Sequence, residues 1–183
     1  GPIGWAARKA CLRRGLPFTT AFHTRFAEYA AARLPVPGVK QLGWLILRHF
    51  HKPSNAVMVP TQRVADELAG WGFRNLKVWT RGVDRSLFRP YGEDVLGYPR
   101  PILLYAGRLA VEKGIEDFLR LDMPGTKVLV GDGPERSVLE PRYPDAVFLG
   151  DRKNGNYARI LASADVLVFP SLTDTFGLVM LEA

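Results

Sequence analysis

Short runs of β-branched, aromatic and leucine residues alternate with amphipathic helical stretches along the whole chain, and strands separated by a helix cannot pair as a tight hairpin. The rhythm therefore predicts parallel sheets covered by helices, an α/β fold. In the first half it predicts a helix near residues 3–14, a strand over Phe18–Phe22, helices near 24–33 and 38–51, a strand over Ala56–Val59, a helix near 62–70 and a strand over Leu76–Trp79. The second half restarts with strands over Ile102–Ala106, Lys127–Val130, Ala146–Leu149 and Val166–Phe169, and helices near 114–121, 134–141, 155–163 and from 176 onward. Between the halves, Gly82–Pro101 is rich in glycine and proline and poor in periodicity. Residues 82–100 thus read as a linker joining a first domain over 1–81 to a second over 101–183. No short-period repeat is present, which excludes a solenoid.

With 183 residues, 47% of them apolar, the chain can bury a core and is too apolar for disorder. Its single cysteine, Cys11, excludes a disulfide framework or a cysteine metal cluster within one chain and fits a reducing cytosol. Apolar runs such as Trp44–Leu47 fall far short of the roughly 18 to 20 residues of a membrane-spanning helix, and no signal peptide is seen. The chain opens at Gly1 without an initiator methionine and stops at Ala183 inside an apolar, helix-like stretch, as expected of a piece of a longer protein.

Charge is divided unevenly: residues 1–91 hold 15 Lys and Arg against 4 Asp and Glu, a net of +11, while residues 92–183 carry −4. No helix-turn-helix, zinc-ligand spacing or aromatic RNA-binding signature accompanies the excess, which argues against nucleic acid. Trp5–Arg14 and Lys40–Lys52 set basic groups beside Trp and Phe, the pattern of an interfacial helix on an anionic membrane; a helix packed on a sheet with a wet basic face has the same pattern. His49 and His51, two positions apart, point in different directions on a helix and read as surface residues rather than metal ligands.

In open α/β sheets ligands sit beyond the carboxyl ends of the strands. After Ala106 comes Gly107-Arg108-Leu-Ala-Val-Glu-Lys113-Gly114, two cations five residues apart before a helix. An arginine fork and a lysine point charge there suit a diphosphate, aided by free N–H groups and the helix dipole; a surface loop with Glu112 pairing either cation is the alternative. Gly131-Asp-Gly-Pro134 follows the next strand as a tight turn open to close backbone approach, and it is neither a GxGxxG nor a Walker pattern. The last strand leads into Pro170–Ala183, where the helix from Phe176 to Leu181 is apolar all round and so should be buried, yet carries Glu182. A buried carboxylate needs hydroxyl or cationic partners, and a ribose would supply hydroxyls. Asp174 sits where it could cap that helix or reach a ligand. His23, with Thr24 at the end of the first strand, suits proton handling, a sugar hydroxyl or a purely structural role.

Together, Gly107-Arg108 through Lys113-Gly114, Gly131-Asp-Gly-Pro134, and Asp174 with Glu182 around Phe-Gly-Leu resemble the retaining, nucleotide-sugar-dependent glycosyltransferases of the GT-B fold, family four. Phe22–Tyr29, Gly82–Pro90 and Thr173–Val179 are most similar to the bacterial GDP-mannose-dependent mannosyltransferases and the glycolipid synthases related to sulfoquinovosyl transferase. The resemblance implies two Rossmann-like domains with parallel sheets, an acceptor-side domain truncated at its start and a nucleotide-sugar-binding domain truncated at its end. It implies that Arg108 and Lys113 hold the donor diphosphate and stabilise the departing nucleoside diphosphate, without a metal or other cofactor. Glu182 would bind the donor ribose, and Asp174 with the N–H groups of Phe176, Gly177 and Leu178 the donor sugar. The family usually has Glu where Asp174 stands. Gly131, Leu149, Asp151 and Arg152 would flank the base, and His23 would approach the sugar as a further catalytic group.

On this resemblance the intact enzyme moves a hexose from GDP-mannose or a UDP-hexose to a lipid, lipid-linked or glycan acceptor. It would work in the cytoplasm, peripherally on the inner face of the plasma membrane, and the fragment alone would be inactive or nearly so. The alternatives are a GT-B epimerase or phosphorylase, and a nucleotide- or glycan-binding module without turnover.

Overall fold

The computed structural model describes residues 1–34, 36–172 and 174–183. The chain divides into two compact units, Gly1–Arg81 with Thr173–Phe176, and Gly82–Leu172 with Gly177–Ala183. Thr173, at the head of one motif quoted above, lies outside the described residues.

In the first unit the order is α1 (Pro2–Arg13), β1 (Thr19–Ala21), α2 (Phe26–Arg33), α3 (Val39–His51), β2 (Ala56–Val59), α4 (Gln62–Gly70) and β3 (Leu76–Val78). The three strands form a parallel sheet in the order β1-β2-β3, with Thr20 beside Val57 and Val57 beside Leu76. Alternation along β2 buries Val57 and Val59, and α4 answers with Val64, Ala65 and Leu68, all at 6% exposure or less. Thr61 caps α4 by accepting from the Val64 N–H at 3.2 Å. Small residues let α2 and α3 approach: a Cβ on Gly43 would stand 3.0 Å from the Ala27 backbone. No residue of α1 is buried; the helix is tied to α3 through Trp5, edge-on to Phe50 at 4.9 Å, and through Arg8, which donates to the carbonyls of Phe50 and His49 at 3.0 and 3.2 Å.

These contacts separate the two basic stretches. Arg8 lies over the Trp5 ring at 5.3 Å, but Trp44 faces the core at 2% exposure, leaving Leu42, Leu45 and Ile46 as the exposed apolar residues of α3. The expectation for His51 is corrected. His49 is exposed, whereas His51 is 5% exposed, because the inward stripe of α3 runs through Trp44, Leu47 and His51. Its Nδ1 lies 2.8 Å from Thr20 Oγ1. Burial pushes its pKa down from 6.5 to about 4, so the folded protein keeps the ring neutral while the unfolded chain protonates it. The contribution is complete above pH 6.5 and is lost as pH falls from 6.5 towards 4, by of order 3 kcal/mol. Urea unfolding followed across that window shows the loss in the wild type; His51→Asn, which retains a hydrogen-bonding group toward Thr20, flattens the slope.

In the second unit the order is β4 (Ile102–Ala106), a 3-10 turn (Val111–Lys113), α5 (Ile115–Leu119), β5 (Thr126–Val130), α6 (Arg136–Arg142), β6 (Val147–Gly150), α7 (Asn154–Ser163), β7 (Val166–Leu167) and α8 (Val179–Glu182). All pairings are parallel, in the order β6-β5-β4-β7. β4 is buried along its whole length, as a strand covered on both faces must be. Leu103 and Tyr105 pack with Ile115, Phe118 and Leu139 on one face, and Ile102, Leu104 and Ala106 with Ile160 and Leu161 on the other. Asp165 joins the start of β4 by accepting from the Ile102 N–H at 2.6 Å and from Arg100 at 2.5 Å.

Three expectations shift. The stretch over 82–100 groups with the second unit: Phe88, Leu96 and Tyr98 pack against its core, and Ser163 Oγ accepts from the Val95 N–H at 3.1 Å. β7 ends at Leu167 rather than Phe169, with the Val168 N–H donating to Leu104 O at 2.7 Å as the last bond of the ladder. The last helix begins at Val179 rather than 176, because Gly177 takes a φ of +69°, outside the right-handed helix. It has no buried residue, and Leu178, Met180 and Leu181 are 41–51% exposed, so the all-apolar stretch does not form a buried helix.

Candidate functional site

The carboxyl end of β4 is shaped by backbone packing. The Gly107 N–H donates to Val130 O, Leu109 N–H to Asp132 O and Glu135 N–H to Leu109 O, at 2.9 to 3.1 Å, and Tyr105 Oη donates to Arg108 O at 2.9 Å. The turn after β5 lies so close beneath that a Cβ on Gly131 would stand 1.9 Å from Gly107 O, and one on Gly133 2.2 Å from Leu109 O. The glycines of Gly-Asp-Gly-Pro thus serve approach to the chain's own backbone. Leu109 and Ala110 are both 1% exposed, so the loop is anchored while Arg108 stands exposed upon it. Among the described residues its side chain has neither a hydrogen bond nor an ion pair.

Lys113, half-buried, closes the 3-10 turn, and Gly114 follows at φ +64°, where a Cβ would stand 3.0 Å from Pro170 O. The turn is thereby fastened to the segment after β7. The helix expected to follow both cations has only five residues, Ile115–Leu119, so its dipole adds little to the binding of an anion here. Ser171, which the sequence reading did not single out, has a buried Oγ with no partner among the described residues. An unsatisfied buried hydroxyl is costly, and a polar ligand group relieves that cost.

Glu182 does have the hydroxyl partner expected of it, supplied from within the chain. Tyr157 Oη, on α7, donates to Glu182 Oε2 at 3.0 Å, and burial, followed by the Glu182 charge, raises the tyrosine pKa. Gly177 is crowded by Phe169 and Met180, whose nearest atoms would lie 2.9 and 2.6 Å from a Cβ. Leu149 packs on the core of its sheet face; Asp151 pairs with Lys153 at 3.5 Å, and Arg152 Nη1 donates to the Asp151 carbonyl at 3.1 Å. Asp174 provides no cap for α8, which starts four residues too late, and it groups with Phe176 in the first unit, both half-buried.

In the first unit His23 follows β1 and is exposed. Arg81 Nη2 lies 3.1 Å from its Nε2, so the guanidinium donates and the ring carries its proton on Nδ1. Burial and then the Arg81 charge lower the His23 pKa. Thr175 Oγ1 donates to the His23 carbonyl at 2.9 Å. A cavity of about 320 Å³ opens beside the histidine, walled by Trp5, Phe22, Phe26, Leu47 and Phe50.

The chain has two parallel α/β units, and its likeness to solved GT-B glycosyltransferases gives it the GT-B fold. HepE of Anabaena, solved with UDP and glucose, shares 19% identity at a TM-score of 0.76, over 98% of this chain and 53% of that one. Sucrose-phosphate synthase of Thermosynechococcus elongatus shares 21% at 0.76, over 98% and 50%. The chain belongs to the family-four glycosyltransferases: residues 1–87 match the model for Glycosyltransferase Family 4 and residues 100–183 that for Glycosyl transferases group 1. A GDP-mannose-dependent alpha-mannosyltransferase of Mycobacterium tuberculosis is 30% identical over 99% of this chain and 50% of its own length. The sulfoquinovosyl transferase of Arabidopsis thaliana is 29% identical over 92% and 36%. The chain thus spans half or less of these relatives. Among the described residues no helix is long and apolar enough to cross a membrane.

Proposed function

We propose that the intact protein moves a hexose, with retention of configuration, from a nucleoside diphosphate sugar to a lipid, lipid-linked or glycan acceptor. The observation that carries this is Arg108, an exposed guanidinium without a side-chain partner among the described residues, on a glycine-packed loop at the end of a buried strand. A diphosphate needs such a fixed fork, and the fork stabilises the charge that builds as the nucleoside diphosphate leaves. Lys113 adds a second cation, Glu182 accepts from the ribose hydroxyls, and the base lies by Gly131, Leu149, Asp151 and Arg152. Asp174 and the N–H groups of Phe176, Gly177 and Leu178 hold the sugar. His23, neutral by burial and by Arg81, faces the acceptor side as a hydrogen-bonding group. On this reading residues 1–81 serve the acceptor and residues 101–183 the nucleotide sugar.

The apolar cavity beside His23 suits an acceptor with a lipid portion, and the net of +11 over residues 1–91 suits an anionic membrane face in the cytoplasm. The relatives named for GDP-mannose favour GDP-mannose over a UDP-hexose as donor. Incubating the intact protein with donor and acceptor and reading the product's anomeric configuration by proton NMR tests the reaction; the donor's configuration is expected, and an inverted product contradicts retention.

Tyr157→Phe is expected to weaken nucleoside diphosphate binding by about 1 kcal/mol, since it frees Glu182 from the bond that orients it. A 2′,3′-dideoxy nucleotide, lacking the hydroxyls, should bind both proteins alike in a calorimetric titration.

A further inference from the structure

Unit one holds a second, larger cavity, about 630 Å³, which shares only His51 with the cavity beside His23. Its walls come from the end of α3, with Arg48, His49 and Lys52, and from the segment leading into β3, with Phe73, Arg74 and Asn75. These residues lie at the amino ends of the parallel strands β2 and β3, whereas His23 follows the carboxyl end of β1. Three fixed cations line the cavity and no carboxylate does. Among the described residues Arg48, Lys52 and Arg74 form no ion pair and no side-chain hydrogen bond.

The helix ends at this edge do not account for the cations. The last carbonyls of α3 are already served: those of His49 and Phe50 by Arg8, that of Arg48 by the Lys52 N–H at 2.9 Å, and that of His51 by Ser54 Oγ at 2.7 Å. The negative ends of α3 and α4 together supply about one charge, which leaves about two of the three cations uncompensated. Arg48 is exposed but lies across a neighbouring turn. Its Nη1 lies 3.0 Å from where a Cβ on Gly72 would stand, so the guanidinium crosses the turn at a glycine that also takes a φ of +79°. Arg48 thus reaches the turn two residues before Arg74, and both line the cavity with Lys52. Phe73, at 6% exposure, and Leu45 give the cavity an apolar flank, and buried His51 lines it with Nε2 unpartnered among the described residues.

We infer that this cavity binds a phosphate monoester carried on a partly apolar molecule, at a site separate from Arg108 and Lys113. Paired guanidinium groups take the phosphoryl oxygens, Lys52 adds a point charge, and the apolar flank takes the ester's carbon skeleton. The ester is either a soluble phosphorylated metabolite or the headgroup of an anionic lipid, since both present the same group.

The test titrates the intact protein, carrying Arg108→Ala and Lys113→Ala together to weaken the donor site, with glycerol phosphate and with phosphatidylcholine vesicles containing phosphatidic acid. Saturable binding of at least one probe is expected, weakened about tenfold or more by Arg48→Gln or Arg74→Gln and unchanged by Arg63→Gln, an exposed cation outside the cavity. Thermal midpoints matching that of the parent carrying both alanines show that the variants fold. Binding of glycerol phosphate assigns a soluble ester; binding of the vesicles alone, lost in the same variants, assigns a lipid headgroup. No saturable binding of either probe, equal affinity in Arg48→Gln and Arg74→Gln, or an equal loss in Arg63→Gln overturns the site.

Discussion

Gly131→Ala is expected to destabilise the second unit by about 2 to 5 kcal/mol and to abolish nucleotide binding with it. Two independent costs add. The residue takes a φ of +127°, a conformation that costs an L residue about 1 to 2 kcal/mol, and the new methyl would stand 1.9 Å from the Gly107 carbonyl oxygen. That oxygen belongs to a backbone pinned on both sides, by the Gly107 bond to Val130 and the Leu109 bond to Asp132, so relief requires moving the loop that carries Arg108. Overpacking of this kind costs about 1 to 3 kcal/mol more. Gly155→Ala is the contrast. A Cβ there meets nothing within 4 Å and alanine favours the helix α7, so stability should hold or rise slightly. Urea unfolding of the two variants side by side decides the matter; equal midpoints contradict the packing described for the Arg108 loop.

Arg108→Ala and Lys113→Ala are each expected to weaken nucleoside diphosphate binding by about 1.5 to 3 kcal/mol, the range for a charge-assisted contact, and Arg108→Ala is expected to do so without lowering thermal stability. Arg108 has no side-chain hydrogen bond or ion pair among the described residues and stands exposed, so its truncation removes little from the fold. Arg108→Lys keeps the charge and loses the fork, and should fall between the wild type and alanine. The losses should shrink as salt rises, in proportion to the site's exposure. Calorimetric titration with GDP and UDP measures them, and unchanged affinity in both alanine variants removes the diphosphate assignment.

The elements most legible in the sequence are those whose side-chain pattern comes from local burial. The five-residue run Ile102–Ala106 reads as a covered strand and is one, and the Val57/Val59 alternation reads as a half-covered strand. That the loop of Arg108 and Lys113 follows a covered strand is legible by the same logic. What escaped depends on contacts between distant residues. Tyr157 and Glu182 are 25 positions apart, and nothing local marks their pairing. Gly177 is a glycine among apolar residues, and only its left-handed backbone, packed against Phe169, shows that the helix must wait until Val179. Phe88, Leu96 and Tyr98 were visible as apolar residues in a stretch rich in glycine and proline, but the core they complete lies up to about 70 residues away, as Ser163 does from Val95. His49 and His51 point in different directions, which argues against a shared metal but does not make both surface residues; the inward stripe of α3 through Trp44 and Leu47 takes His51 with it.

The most direct measurement of the central claim is the release of nucleoside diphosphate when the intact protein is given nucleotide sugars in turn with a lipid or glycan acceptor. Release from one nucleotide sugar, dependent on the acceptor and reduced about a hundredfold or more in Arg108→Ala, is the predicted result. Tight nucleotide binding with no release from any donor and acceptor pair, or release indifferent to Arg108, would contradict it.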